Sequence, residues 1–267
     1  MPYSAVILVS LLCLSSVALW IRLVRRRHNG LTDSPEPAPR PVNGLAAFLV
    51  GAWLLFIVSG RLWNLIAAPS PPPEFNADRA ADGLLGICLL QAAQCAIFLA
   101  ALTEGFRISP AIWGFDLRRL RLQLQAGFAA VTAAWAPVFL VLLISSPLRT
   151  TERQHPMLRL LQENPSPENI LGVILAAAIL APLVEELLYR VILQGWLMQH
   201  LSPSWAIAVS ATIFALVHGF PDSLAIFPLG IILGATYHLR RSYWSIVIAH
   251  ALFNAVNISL VTLTTES

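Results

Sequence analysis

An all-α bundle of about eight membrane-spanning helices is the fold class this sequence predicts, and three observations predict it. Of its 267 residues, 57% are hydrophobic and only 12% charged, against about 25% charged in an average soluble domain. The mean hydropathy is +0.71. Apolar runs recur along the whole chain at the length of roughly 20 residues that a spanning helix needs. A soluble globule would need more charge to cover its surface, and a disordered chain could not keep so much apolar surface solvated. The net charge of +3 and isoelectric point near 9.1 are those of a membrane chain with basic inner loops, so no nucleic-acid partner is expected. Cys13, Cys88 and Cys95 all lie in apolar runs, which argues against a disulfide framework and against a cysteine-based zinc site.

The expected spans, in order, are 4–24, 44–68, 82–103, 122–145, 168–199, 204–219, 223–239 and 243–262. The first has no basic region before it, and Arg22, Arg25, Arg26 and Arg27 follow it; a cleavable signal peptide has the opposite order. It reads as a retained anchor with its N-terminus outside. Loop charges agree with that orientation. Loop 25–43 is basic and Pro-rich, loop 69–81 is acidic with Glu74 and Asp78, and loop 104–121 carries Arg107, Arg118, Arg119 and Arg121. Loop 146–167 is mixed, and Arg240 and Arg241 separate the last two spans. Positive loops alternate as they should if both termini are outside, as in a bacterial inner membrane. Trp20, Trp63, Trp113, Trp205 and Trp244 lie near span ends, where an interfacial aromatic belt would place them. Three parts are expected within one bundle: an anchor helix and basic loop over 1–43, accessory helices over 44–165, and a functional core over 166–262.

Ionisable groups inside apolar spans are costly unless paired or hydrated, and here they concentrate in the C-terminal half. Glu185, Glu186 and Arg190 share the fifth span, His218 ends the sixth, and His250 and Asn254 lie on the last. Glu186 and Arg190 are spaced i,i+4 with the acid first, the better order for a helical ion pair. Glu185 is rotated by roughly 100° from Glu186 and can face elsewhere. A division of labour follows, with Glu186 held by Arg190 and Glu185 left for chemistry. Glu185 and His218 are equally far, about 25 Å, from the turn near Leu201-Ser202, so antiparallel helices would hold them at one depth. His250 and Asn254, again i,i+4, occupy one face of the last span. His238, beside Arg240, reads as a packing residue. Gly230 and Gly234 permit close helix approach, and Pro137, Pro182 and Pro228 should bend their helices.

A carboxylate and an imidazole converging on one water form a general-base pair. A second imidazole and an amide can hold the oxyanion of a tetrahedral intermediate. Glu185, His218 and His250 are equally a set of zinc-ligand types, and residue types alone do not separate the two. A proton-coupled carrier would also use buried acids and histidines, and a non-catalytic immunity or scaffold protein could keep the same fold.

Glu185-Glu186-x-x-x-Arg190, Phe214-x-x-x-His218 and His250-x-x-x-Asn254, in this order on successive spans, resemble the three-motif signature of the CAAX protease and bacteriocin-processing (Abi) family, which includes the Rce1-like prenyl-protein endopeptidases. The resemblance covers roughly 170–260. It implies an intramembrane endopeptidase of the glutamate type acting on a peptide or membrane-protein substrate. Glu185 would activate water with His218 as partner, and His250 and Asn254 would hold the oxyanion. Glu186 and Arg190 would be the supporting pair, and Phe214 would pack the site. No cofactor is firmly implied; a divalent metal such as zinc is the one to test.

Overall fold

The computed structural model describes residues 3–28, 41–66, 75–104, 110–149 and 154–265, and all the secondary structure in them is helical. The helices are α1 (Tyr3–His28), α2 (Gly44–Ile66), α3 (Ala77–Thr103), α4 (Leu120–Ile144), α5 (Pro156–Glu163), α6 (Pro167–Leu197), α7 (Pro203–Leu216), α8 (Asp222–Arg240) and α9 (Tyr243–Thr265). Six of them, α1, α3, α4, α6, α8 and α9, are long and apolar enough to cross a membrane, while Gly44–Gly60 and α7 are shorter apolar helices. The protein is an integral membrane bundle. The expected loop charges at Glu74 and Arg107 lie outside the described residues, as does the side chain of Trp63.

Helix α5 lies within 146–167, which the sequence predicts as a loop of mixed charge. Its eight residues are too few to span, yet Leu160 and Leu161 are fully buried with Leu84 of α3, Val173 of α6 and Ile258 of α9. His155 and Pro156 start it, the Nδ1 of His155 accepting from the Met157 amide at 3.3 Å.

Helix α1 lies along α4, where a sequence feature makes a place for it. Pro137 has no N–H, so the carbonyl of Ala133, one turn earlier, loses its helical donor. Ser16 Oγ and Trp20 Nε1 donate to that carbonyl at 3.2 and 2.9 Å. A buried carbonyl seldom goes unpaired, and here a second helix pairs it. Trp20 is thus a tie between helices and not only an interfacial residue. Trp113 departs further from the expected belt: it is fully buried, and its indole donates to the Pro41 carbonyl at 2.8 Å.

The inner rows of α4 pack against α8 and α9. Helix α8 crosses α7 and α6 through its two glycines. A Cβ on Gly230 would stand 3.1 Å from the Ala211 Cβ, and one on Gly234 would meet Gln194 Oε1 at 2.6 Å. The bare helix surface lets Gln194 Nε2 donate to the Gly234 carbonyl at 3.0 Å. Segments that charge alternation places on one side of the membrane do meet. Arg149, after α4, pairs with Asp222 at 2.6 Å, and the Tyr243 amide donates to the Gly114 carbonyl at 3.1 Å.

Candidate active site

Helix α6 carries both glutamates, and its backbone is not a regular α-helix. The stretches Ile174–Leu180 and Leu187–Gln194 are widened into π-type turns on either side of Ala181–Glu186. Widened turns of this kind occur often at functional sites. They spread the backbone carbonyls, and side-chain donors from other helices reach one carbonyl in each widened stretch and a third in the α-helical turn between them. Asn254 Nδ2 donates to Ala177 at 2.8 Å, Tyr243 Oη to Leu183 at 2.7 Å, and Ser210 Oγ to Tyr189 at 2.7 Å. The segment bearing the glutamates is therefore fixed from α7 and α9.

The two carboxylates have opposite surroundings. Glu186 is fully buried, with Oε2 3.3 Å from Arg190 Nε and Oε1 2.7 Å from His250 Nδ1. Glu185 keeps a quarter of its side chain accessible, and its Oε2 lies 4.0 Å from His218 Nε2 and 3.8 Å from His250 Nε2. Both separations exceed hydrogen-bond length. Three helices, α6, α7 and α9, thus bring one accessible carboxylate and two imidazole nitrogens together, with a sealed carboxylate and guanidinium behind them. His218 lies in the turn that ends α7, and its exposure is close to that of Glu185.

The ring nitrogens have distinct roles fixed by their partners. His218 Nδ1 is 2.7 Å from the Phe214 carbonyl, which can only accept. Nδ1 therefore carries a proton, and in the neutral ring Nε2 is the lone-pair nitrogen facing Glu185. His250 Nδ1 likewise donates to Glu186, which orients its Nε2 toward Glu185. Phe214 is fully buried beneath this group. Its ring lies 4.8 Å from that of His218 and 5.7 Å from that of His250, with the Arg190 guanidinium carbon 4.1 Å above it. Asn254, one turn beyond His250, spends one amide hydrogen on Ala177 and keeps the other.

The atoms of Glu185, His218 and His250 that face one another stand wider apart than zinc ligands do. Tetrahedral zinc with bonds of about 2.0–2.1 Å needs its ligand atoms roughly 3.3–3.4 Å apart, closer than the 3.8 and 4.0 Å separations here. Among the described residues, no three His, Cys, Asp or Glu side chains converge as metal ligands.

Two participants escaped the sequence. The bond from Glu186 to His250 joins positions 64 residues apart and has no local signature, so the i,i+4 spacing showed only the Arg190 side of Glu186. His155 is close enough to feel the charges of His218, Asp222 and Glu185. Part of the residue stays open to the surface, yet packing around the ring holds its pKa below the ordinary histidine range. The charge on His218 adds to that effect, and the two carboxylates oppose it. A lone histidine in a mixed loop carries no signal of such a position.

The comparisons with known proteins fall on this same region. Residues 167–256 match a family described as type II CAAX prenyl endopeptidase Rce1-like. A UPF0177 protein, YaiF, of Lactococcus lactis subsp. lactis (strain IL1403) is 36% identical over 97 residues, which cover 33% of this chain and 43% of that relative. No solved structure matches the chain. The match takes in Glu185, His218, His250 and Asn254, and over residues 167–256 the chain is similar to the Rce1-like CAAX prenyl endopeptidase family.

Proposed function

We propose that this protein is an intramembrane endopeptidase that hydrolyses a peptide bond of a membrane-associated protein or peptide, with water as the nucleophile. The observation that carries the proposal is the placement of Glu185 Oε2 at 3.8 and 4.0 Å from two imidazole nitrogens. That distance is too long for direct hydrogen bonds and suits one water shared among the three atoms. The family match supports a protease.

In this mechanism the water donates one hydrogen to the Glu185 carboxylate and the other to His218 Nε2. As its oxygen attacks the carbonyl carbon, a proton passes to this pair and is later delivered to the leaving amine nitrogen, so that an acid and an amine are released. The oxyanion formed on the former carbonyl would be met by His250 and by the free amide hydrogen of Asn254. His250 can donate from Nε2 only as the imidazolium, and Glu185 and Glu186 flank it with compensating negative charge. Glu186 and Arg190 position His250 and do not touch the substrate. None of these steps requires a metal ion.

The charge alternation supports insertion in a bacterial plasma membrane with both termini outside. Cells expressing the wild-type chain and Glu185→Gln at equal membrane abundance would be compared by mapping protein termini in membrane and secreted fractions. New termini should appear with wild type alone, and they would reveal the substrate. Identical termini in both samples would refute the role of Glu185 and favour a non-catalytic membrane partner.

A further inference from the structure

Opposite the Arg149–Asp222 end of the bundle, the loop before α4 and the turn between α8 and α9 enclose a cavity of about 570 Å³. Its volume falls within the range of small-molecule sites, and no residue of the candidate active site lines it. Three arginines, Arg119, Arg240 and Arg241, line it against one aspartate, Asp116. Among the described residues, neither Arg119 nor Arg240 has a carboxylate within ion-pair reach. All three arginines are exposed, so their charge is presented to whatever enters.

The floor of the cavity supplies an independent observation. Gln123, 8% exposed, donates from Nε2 to the Asp116 carbonyl, while its Oε1 is buried without a hydrogen-bond partner. Ser245, 1% exposed, has its Oγ in the same condition. A buried polar atom left unpaired costs about 1–3 kcal/mol, and here an acceptor and a hydroxyl both belong to residues that line one cavity. The lip is apolar: Leu122 and Leu239 line it too, and they are 56% and 71% exposed on the outer surface of the bundle.

We propose that this cavity binds the headgroup of an anionic phospholipid, with its phosphate on Arg119 and Arg240 and the rest of the headgroup over the polar floor that Gln123 and Ser245 help to form. The acyl chains run down past Leu122 and Leu239. A soluble anion would use the arginines but would gain nothing from the apolar lip, which is why a lipid is the better occupant. The basic face of a membrane protein meets an anionic leaflet, where each arginine near the surface contributes roughly 1 kcal/mol. The site stands apart from the proposed catalysis and does not depend on it.

The test uses full-length protein purified in neutral detergent, stripped of lipid and examined by native mass spectrometry. The probes are phosphatidylglycerol, phosphatidylcholine and soluble glycerol 1-phosphate. One phosphatidylglycerol should bind in clear preference to phosphatidylcholine, with glycerol 1-phosphate a poor competitor. The double variant Arg119→Gln/Arg240→Gln, which alters exposed side chains only, should bind phosphatidylglycerol about thirtyfold more weakly. Equal binding of the two lipids, or wild-type affinity in the double variant, would overturn the proposal. Competition by glycerol 1-phosphate at equal concentration would also overturn it and assign the cavity to a free anion.

Discussion

Replacing Glu186 by glutamine removes one charge from a pair that the bundle seals away from solvent. Glu186 Oε2 stands 3.3 Å from Arg190 Nε, and both side chains are essentially inaccessible. At an effective dielectric of about 20 the attraction over that distance is about 5 kcal/mol. The variant keeps its shape but leaves the buried Arg190 guanidinium with only the more distant Glu185 carboxylate to balance it, and breaking such a pair costs about 3–5 kcal/mol. Glu186→Gln should therefore lower the melting temperature of detergent-solubilised protein by about 10 °C, at roughly 2–4 °C per kcal/mol for a chain of this size. Glu185→Gln is the control. Its carboxylate is partly accessible and makes no direct hydrogen bond to either histidine, so its melting temperature should stay within about 2 °C of wild type. Its hydrolytic rate should nevertheless fall by about 10²–10⁴. In a double variant, Glu186→Leu/Arg190→Met, much of the stability should return because no charge is left unpaired. Activity should stay low, because His250 Nδ1 has lost its acceptor. A Glu186→Gln protein that melts with the wild type would refute the assignment of Glu186 and Arg190 as a sealed pair.

Gly234→Val should lower stability by about 1–3 kcal/mol through overpacking, because the new Cβ would meet Gln194 Oε1 at 2.6 Å; the melting temperature in detergent reads it. Gly83→Ala, where a Cβ meets nothing within 4 Å, should be neutral or slightly stabilising in the same assay, since alanine is the better helix former. His155 should titrate below the ordinary histidine range in the folded protein, as monitored by the NMR shifts of labelled histidine. Folding there favours the neutral ring, so the unfolded chain binds more protons. Stability is then lost as pH falls below the unfolded value of about 6.5 toward the lower folded value, and His155→Gln should flatten that part of the pH profile.

Sequence alone determined the membrane class, the order of the helices and the residues able to do chemistry. Apolar length and scarcity of charge are properties of each segment by itself, so the spans could be placed before any contact was known. The same holds for Glu186 and Arg190, whose i,i+4 spacing puts them on one helical face, and for the equal distances of Glu185 and His218 from their shared turn. Helix α5 was not legible because eight residues with two buried leucines become a helix only against the bundle that buries them. Trp113 could not be told from an interfacial tryptophan, since its burial depends on a carbonyl from another part of the chain. Tertiary structure alone decided that Glu186 also holds His250, which nitrogen of His218 faces Glu185, and that a cationic cavity forms where two loops meet. Each of these depends on groups far apart in the chain, and only packing brings them within reach of one another.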